Sequence, residues 1–513
     1  MFENLLETIK SSRVAQIAIG IVVIIALFAL ALIAIGSNKP KQTFIQEEID
    51  YPVKLTWWKQ YYGKEVYDDI IKEFKAIPQY KNVEIEIVKK PSDNSYYRDL
   101  LNDISLGAGP DLFTLSNDDL PAYKQYLTPI TNVNDPTGKV VPDNKLIEDY
   151  KEKFVDLAVN QTLDRNQLYA VTSYIENMQL YYNTLLLSQA GIVNPPATWA
   201  DLEKQIPLLN RRDVNGVNFL QSAIALGTGF ISNNGETEVS KLNINRFQDI
   251  IPLLIFQSGG QIYDYINSSV TISQPGSDIT PKDDTQNLET NNSNTIISQA
   301  VKFYNSFANV NSARYSWNGN SEDNKTAFVE GRLAYILHYS YFQNEIRNRN
   351  PSLKYNIAKL PQLDLNNKKT YGFFYMDGIN KKLTDDVSRL NPSDYNSQES
   401  KATIKKMQVA KDFMYFLTQQ AAQQSFIDKT GLPSAQKDVI SSQIINGSIN
   451  TRKFAEGALY ADNYYKPDVK RTEKIWGDMM YRIQFENISL ETSVAEAIQD
   501  YDNIVKNGPK IRF

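Results

Sequence analysis

Between residues 53 and 115 the apolar period of the chain switches repeatedly between two and about 3.6, and this alternation restricts the fold more than any other feature. Residues 53–58 (VKLTWW) are a short apolar run that reads as a strand. Residues 65–77 put Val66, Ile70, Phe74 and Ile77 on one helical face; Val83, Ile85 and Ile87 then alternate with Glu84, Glu86 and Val88 as a second strand. A second helix over 96–106 is closed by Gly107, a Gly109-Pro110-Asp111 turn follows, and 112–115 (LFTL) is a third strand. Strands alternating with helices of this length build an α/β layer with a parallel sheet, and its ligands sit beyond the strand C-terminal ends. That rule gathers Trp58, Gln60, Tyr61 and Tyr62 after the first strand, and Ser116, Asn117, Asp118 and Asp119 after the third, at one rim. Trp57 faces the other way from Trp58 and is expected in the core.

The remaining length limits how this unit is completed. At 513 residues the chain is too long for one core, so two or more lobes are expected. A formal net charge of −5 without a basic stripe argues against nucleic acid as a partner. The absence of cysteine excludes disulfides, thiol catalysis, Cys-ligated zinc and iron–sulfur clusters. A single histidine, His338, excludes a multi-histidine metal site; it lies in an apolar run and is expected to be packed. No metal, cofactor or catalytic residue is therefore assigned.

Residues 14–35 carry no charge, and Gln16 is their only polar side chain. As a helix they reach roughly 33 Å, enough to span a hydrocarbon core. A secretory signal is the alternative, with Ala34-Ile35-Gly36 as its cleavage site, but its apolar stretch is normally about 7–15 residues. The reading is a retained single-pass anchor at the cell membrane: a cytoplasmic tail at 1–13, a transmembrane helix at 14–35, a tether at 36–51, and the large remainder on the extracytoplasmic side.

Residues 168–182 read as extended chain carrying a lone acid, Glu176. Asn183 opens a helix whose N–H groups it caps, Leu185, Leu186 and Ala190 give its buried stripe, and Gly191 sits where a left-handed C-terminal residue belongs. Pro195 and Pro196 stop continuation, and Thr198 starts a second helix held down by Trp199. Further on, 223–230 (AIALGTGF) is a glycine-interrupted segment suited to a cleft wall. Residues 268–294 and 381–402 read as polar surface insertions, and 404–428 as one long amphipathic helix. Asp111 is expected to cap local N–H groups.

LTWW at 55–58, YYRDLLNDISLGAGPDLFTL at 96–115, YAVTSYIENMQLYYN at 169–183 and AGIVNPPATWADL at 190–202 occur in that order. Together they resemble the family 1 extracellular solute-binding proteins, the maltose-binding-protein-like group that serves ATP-driven importers. Residues 328–335 (FVEGRLAY) resemble the family's F-x-x-G-x-x-A-M segment with Tyr335 in place of Met, and TGLPSAQ at 430–436 resembles its Thr-Gly turn. The resemblance covers 52–508. It implies an α/β, two-lobed periplasmic-binding-protein-like domain of type II, the hinge-closing kind. One lobe is 52–172 with 374–430, the other 173–373 with 431–513, joined by crossings near 170–175, 371–380 and 430–436. It further implies that the protein captures a small solute between the lobes and delivers it to the permease subunits of an ABC importer, without catalysis.

A sugar offers flat C–H faces and a ring of hydroxyls, so a sugar site wants aromatic plates beside carboxylate and amide acceptors. Trp58, Tyr61, Tyr62, Tyr341 and Trp476 are the candidate plates, and Gln60, Asn117, Asp118 and Glu176 the polar partners. On the resemblance, Tyr341 and Trp476 fall at or near positions where the family's sugar binders place stacking aromatics. Asp118 and Glu176 match positions that hold sugar hydroxyls there. Core packing is the competing role for each aromatic, and a solvated surface for the two acids. Peptides and polyols stay open as solutes. The rival functions are a membrane-anchored carboxylate glycosidase and a sensor that kept the lobes without an importer.

Overall fold

A computed structural model describes residues 52–510, apart from 93, 135–139, 217, 228–242, 265–268 and 272–295. The tail, membrane helix and tether expected at 1–51 lie outside the described residues, as do 228–230 and most of the insertion expected at 268–294. Among the described residues no helix is long and apolar enough to cross a membrane.

The alternating segments form a six-stranded sheet. Val83–Lys89, Val53–Lys59 and Leu112–Ser116 lie side by side and parallel. Tyr375–Asn380, from far along the chain, runs antiparallel to Leu112–Ser116 and also pairs with Leu127–Thr128 and Ala170–Thr172. The helix Lys64–Ala76 buries Val66, Tyr67, Ile70 and Phe74, its 3.6-residue stripe. Trp57 is buried on that side, tilted against Tyr67 at 4.6 Å and edge-on to Phe413 at 5.5 Å. Asp111 accepts the Thr56 N–H at 2.8 Å and pairs with Lys406 at 2.9 Å, which ties the turn after the second helix to the first strand.

A second sheet has the order Arg211–Arg212, Phe219–Ile224, Leu333–His338, Gln179–Asn183, Tyr355–Ala358. The Asn183 side chain accepts the Leu185 and Leu186 N–H groups at 3.0 and 3.1 Å, and Gly191 has φ +69°. The buried stripe of that helix is Leu186 and Leu187, whereas Leu185 is exposed: the Asn183 cap fixes the rotation of a six-residue helix that has little length over which to average. Thr198 and Asp201 form a reciprocal cap on Trp199–Leu209, and the Trp199 indole N–H donates to Gln257 at 2.6 Å. His338 is fully buried and stacks on Phe342 at 4.3 Å.

Three segments cross between the sheets beside one another. The chain leaves the first sheet after Ala170–Thr172, pairs as Glu176–Asn177 with Thr370–Phe373, and enters the second sheet as Gln179–Asn183. Thr370–Phe373 continues almost at once into Tyr375–Asn380, so this antiparallel pair belongs to both lobes. The third segment bonds to the first: the Ile175 N–H donates to Pro433 O at 2.9 Å, and the Ala435 N–H to Ser173 O at 3.1 Å. Helix Ile449–Ala458 lies directly on the first crossing, where a Cβ on Gly457 would collide with the Asn177 and Gln179 side chains.

Two expectations are corrected. Residues 404–428 do not form one helix but belong to Gln398–Leu417 and Gln420–Thr430, separated where Gln419 turns extended. The polar stretch 381–402, read as a surface insertion, is largely helical; it contains Lys382–Ser388 and the start of the next helix, for which Ser397 accepts the Ser400 N–H. Its polarity reports exposure, and the Ser397 cap supplies the start.

Candidate functional site

The strand ends and the crossings enclose a cleft of about 440 Å³. The first lobe contributes Gln60, Tyr61 and Tyr62 after its first strand and Ser116, Asp118 and Asp119 after its third. Tyr341 follows Leu333–His338 of the second lobe, and Glu473 stands on the helix Val469–Phe485. Tyr174, Glu176, Phe373 and Tyr375 come from the crossings themselves. The wall is a connected series of rings. Tyr341 stacks near Tyr339 at 5.9 Å, Tyr339 meets Phe373 edge-on at 4.8 Å, Phe373 meets Tyr375 at 6.2 Å, and Tyr375 packs on Tyr61 at 4.5 Å. The Tyr61 and Tyr375 hydroxyls share a hydrogen bond of 2.9 Å.

Glu176 is only 4% exposed. Its carboxylate accepts the Ser340 N–H at 2.9 Å and the Ser340 hydroxyl at 2.8 Å, a link from the first crossing to the segment that carries Tyr341. Burial pushes its pKa up to about 7, against the opposing effect of those hydrogen bonds. Asp118 is paired with the buried ammonium of Lys466 at 2.7 Å and accepts the Asn463 amide at 3.1 Å. Arg246, at φ +63° just before the helix Phe247–Gln257, donates to Asp249 at 2.6 Å, and its guanidinium lies over Phe373. Gln60, also 4% exposed, borders the cleft with an Oε1 that has no hydrogen-bond partner among the described residues.

Of the nine residues singled out in the sequence, six border this cleft: Gln60, Tyr61, Tyr62, Asp118, Glu176 and Tyr341. Trp58, Asn117 and Trp476 do not. Trp58 is buried, with Tyr96 at 6.5 Å and the ammonium of Lys90 over its ring at 3.5 Å from the centroid. Trp476 is 2% exposed and donates its indole N–H to the Tyr464 hydroxyl at 2.8 Å within the second lobe's core. Both are packing residues in this structure, because each ring finds an apolar bed on its own side of its element. Asn117 is fully buried and braces the crossing instead, exchanging hydrogen bonds with Phe374 at 2.9 and 3.0 Å. Arg246, Phe373, Tyr375 and Glu473 were not anticipated. Tyr375 lay within the recognised crossing, and Glu473 is one helical turn before Trp476, so the right helix was chosen with the wrong side chain. Nothing in the local sequence marks Arg246.

Comparison with known proteins places this geometry. A family model described as bacterial extracellular solute-binding protein matches residues 69–450. A binding protein of Brucella abortus is 23% identical over 274 residues, 53% of this chain and 54% of that one, so the chain spans about half the length of the curated relatives it matches. The cyclic α-maltosyl-1,6-maltose binding protein of Arthrobacter globiformis superposes with a TM-score of 0.63 at 16% identity, covering 89% of this chain and all of that one. An ABC substrate-binding protein of Listeria monocytogenes in complex with cycloalternan superposes with a TM-score of 0.55 at 15% identity, covering 89% of this chain and 99% of the other. These structures share the α/β, two-lobed periplasmic-binding-protein-like fold. With the family model matched over most of its length, the chain belongs to the bacterial extracellular solute-binding proteins.

Proposed function

We propose that this protein captures a sugar or oligosaccharide between its lobes and delivers it to the permease of an ABC importer, while residues 14–35 hold it at the outer face of the cell membrane. The observation that carries the reading is the cleft itself: a run of aromatic faces from Tyr341 to Tyr61, interrupted by carboxylates and by the unpartnered Gln60 carbonyl. Ring faces match the C–H faces of a sugar, and the acceptors match its hydroxyls. Two of the structurally similar proteins, from Arthrobacter and Listeria, bind cyclic oligosaccharides, and one is an ABC substrate-binding protein, which supports both halves of the proposal.

The moving bodies are residues 52–172 with 374–430 and residues 173–373 with 431–513, bending at the three crossings. Micromolar binding is worth about 8 kcal/mol, and shifting a closure equilibrium from 1:99 to 99:1 takes about 5.5, so solute contacts suffice to drive closure. A thermal-shift screen against a panel of neutral oligosaccharides tests the reading. A saturable rise in Tm with at least one of them is expected. Release of hydrolysed product from a labelled oligosaccharide overturns it in favour of a glycosidase. Recovery of the full chain in the carbonate-washed membrane fraction tests the anchor.

A further inference from the structure

Charge around the cleft is unevenly distributed. Four carboxylates border it, Asp118, Asp119, Glu176 and Glu473, against one cation, Arg246. Asp118 is neutralised by Lys466, and Arg246 by Asp249, which also accepts the Tyr339 hydroxyl at 2.6 Å. Glu176 is bonded to Ser340 and to the Tyr341 N–H, with no cation against it among the described residues. Glu473 makes no hydrogen bond or close ion pair among the described residues, although it lies within electrostatic reach of Arg246. Asp119 bonds the Tyr97 hydroxyl, which leaves its negative charge in place. The buried Gln60 Oε1 adds an acceptor that no group among the described residues satisfies. The cleft is therefore rich in acceptors and net negative, and its one guanidinium is already committed.

We propose that the solute carries a protonated amine, received between Glu176, Glu473 and the Gln60 carbonyl. An ammonium brings three donors to surplus acceptors and a positive charge to a cleft with more carboxylates than cations. The faces of Tyr174, Tyr341 and Tyr375 add cation–π attraction in a partly desolvated site. A uronic-acid sugar meets the opposite situation, a like charge with no available cation. This inference rests on the carbohydrate reading and narrows it to amino sugars. It makes Glu473 a specificity-determining residue, one half-buried on its helix and outside the core.

Isothermal titration of the full chain with three tetrasaccharides, of glucosamine, of glucose (maltotetraose) and of galacturonate, at neutral pH and low salt, tests this. The glucosamine tetramer is expected to bind on the order of tenfold tighter than maltotetraose or better, and the galacturonate tetramer not at all. Glu473→Gln is expected to remove most of the glucosamine preference, weakening the glucosamine tetramer several-fold more than maltotetraose, with Tm unchanged. Equal affinity for the first two, or any binding of galacturonate, overturns the amine inference and leaves the carbohydrate reading intact. Binding of 1,4-diaminobutane with no response to any tetrasaccharide keeps the amine receptor and overturns the carbohydrate reading. Silence from all four probes overturns both.

Discussion

Asp118 and Lys466 meet at 2.7 Å across the two lobes, both nearly enclosed, beside the strands about which the lobes would bend. Asp118 follows the third strand of the first sheet, and Lys466 follows Ala461–Asp462, next to Tyr464 in the second lobe's core. Asn463 donates to Asp118 and to Gly372 O, so the pair is bonded to the second crossing as well. Removing either member leaves a buried charge without its counter-ion. Asp118→Asn or Lys466→Met alone is expected to cost about 3–5 kcal/mol in urea denaturation, and the double substitution Asp118→Asn/Lys466→Met to recover much of that loss. Additive losses in the cycle would show that the two charges are not coupled.

Trp58 and Trp476 belong to packing, and their truncation should register as lost stability. Trp476→Ala is expected to lower unfolding free energy by about 3–5 kcal/mol, and Trp476→Phe by much less. Guanidinium denaturation of both variants checks this; a Trp476→Ala protein with native stability and lost binding would return the residue to the cleft.

Tyr341 is the reverse case. It is 39% exposed, borders the cleft and makes no side-chain cap on the helix Phe342–Arg349. Tyr341→Ala should weaken solute binding on the order of tenfold, the worth of one aromatic face, with Tm unchanged. Titration together with a melting curve separates the two effects.

Glu176 gives the protein a pH dependence whose sign is fixed. Its folded pKa, about 7, lies above the ordinary glutamate value near 4.5, so the folded state holds a proton that the unfolded state releases. The stabilising contribution is fully present below pH 4.5 and is lost as pH rises through 7, about 3 kcal/mol in total. Ligand-free Glu176→Gln should therefore show a flatter stability profile between pH 4.5 and 8 than the native protein. A solute that donates to the carboxylate favours its charged form, so native affinity is expected to rise as pH increases through 7. Parallel profiles for the two proteins would contradict the assignment.

Gly457 lets the helix Ile449–Ala458 rest on the first crossing. Gly457→Ala inserts a methyl against Asn177, whose amide donates to Phe454 O at 2.8 Å, and against Gln179, which is bonded to Asn177 at 2.7 Å. A loss of about 1–3 kcal/mol is expected, measured by thermal unfolding.

The parallel arrangement of Val53–Lys59, Val83–Lys89 and Leu112–Ser116 was legible because period-two and period-3.6 runs alternate plainly over residues 53–115, and the capping by Asn183 and Thr198 because those residues act on N–H groups two or three positions away. The placement of Gln60, Tyr61, Tyr62 and Asp118 at one rim followed from the same order of elements. Glu176 was legible as a lone acid in an extended run, but not as a buried group bonded to Ser340, since that contact joins positions 164 residues apart.

By itself, then, the sequence determined most of the elements of the first lobe, their order and the rim to which the strands point, because each depends on spacing within a few residues. Tertiary structure alone decided that Trp58 and Trp476 turn into cores, that Arg246 and Glu473 reach the cleft, and that Asp118 finds Lys466. Those outcomes depend on which face of an element meets a neighbour brought in from hundreds of residues away, and local periodicity carries no record of that neighbour.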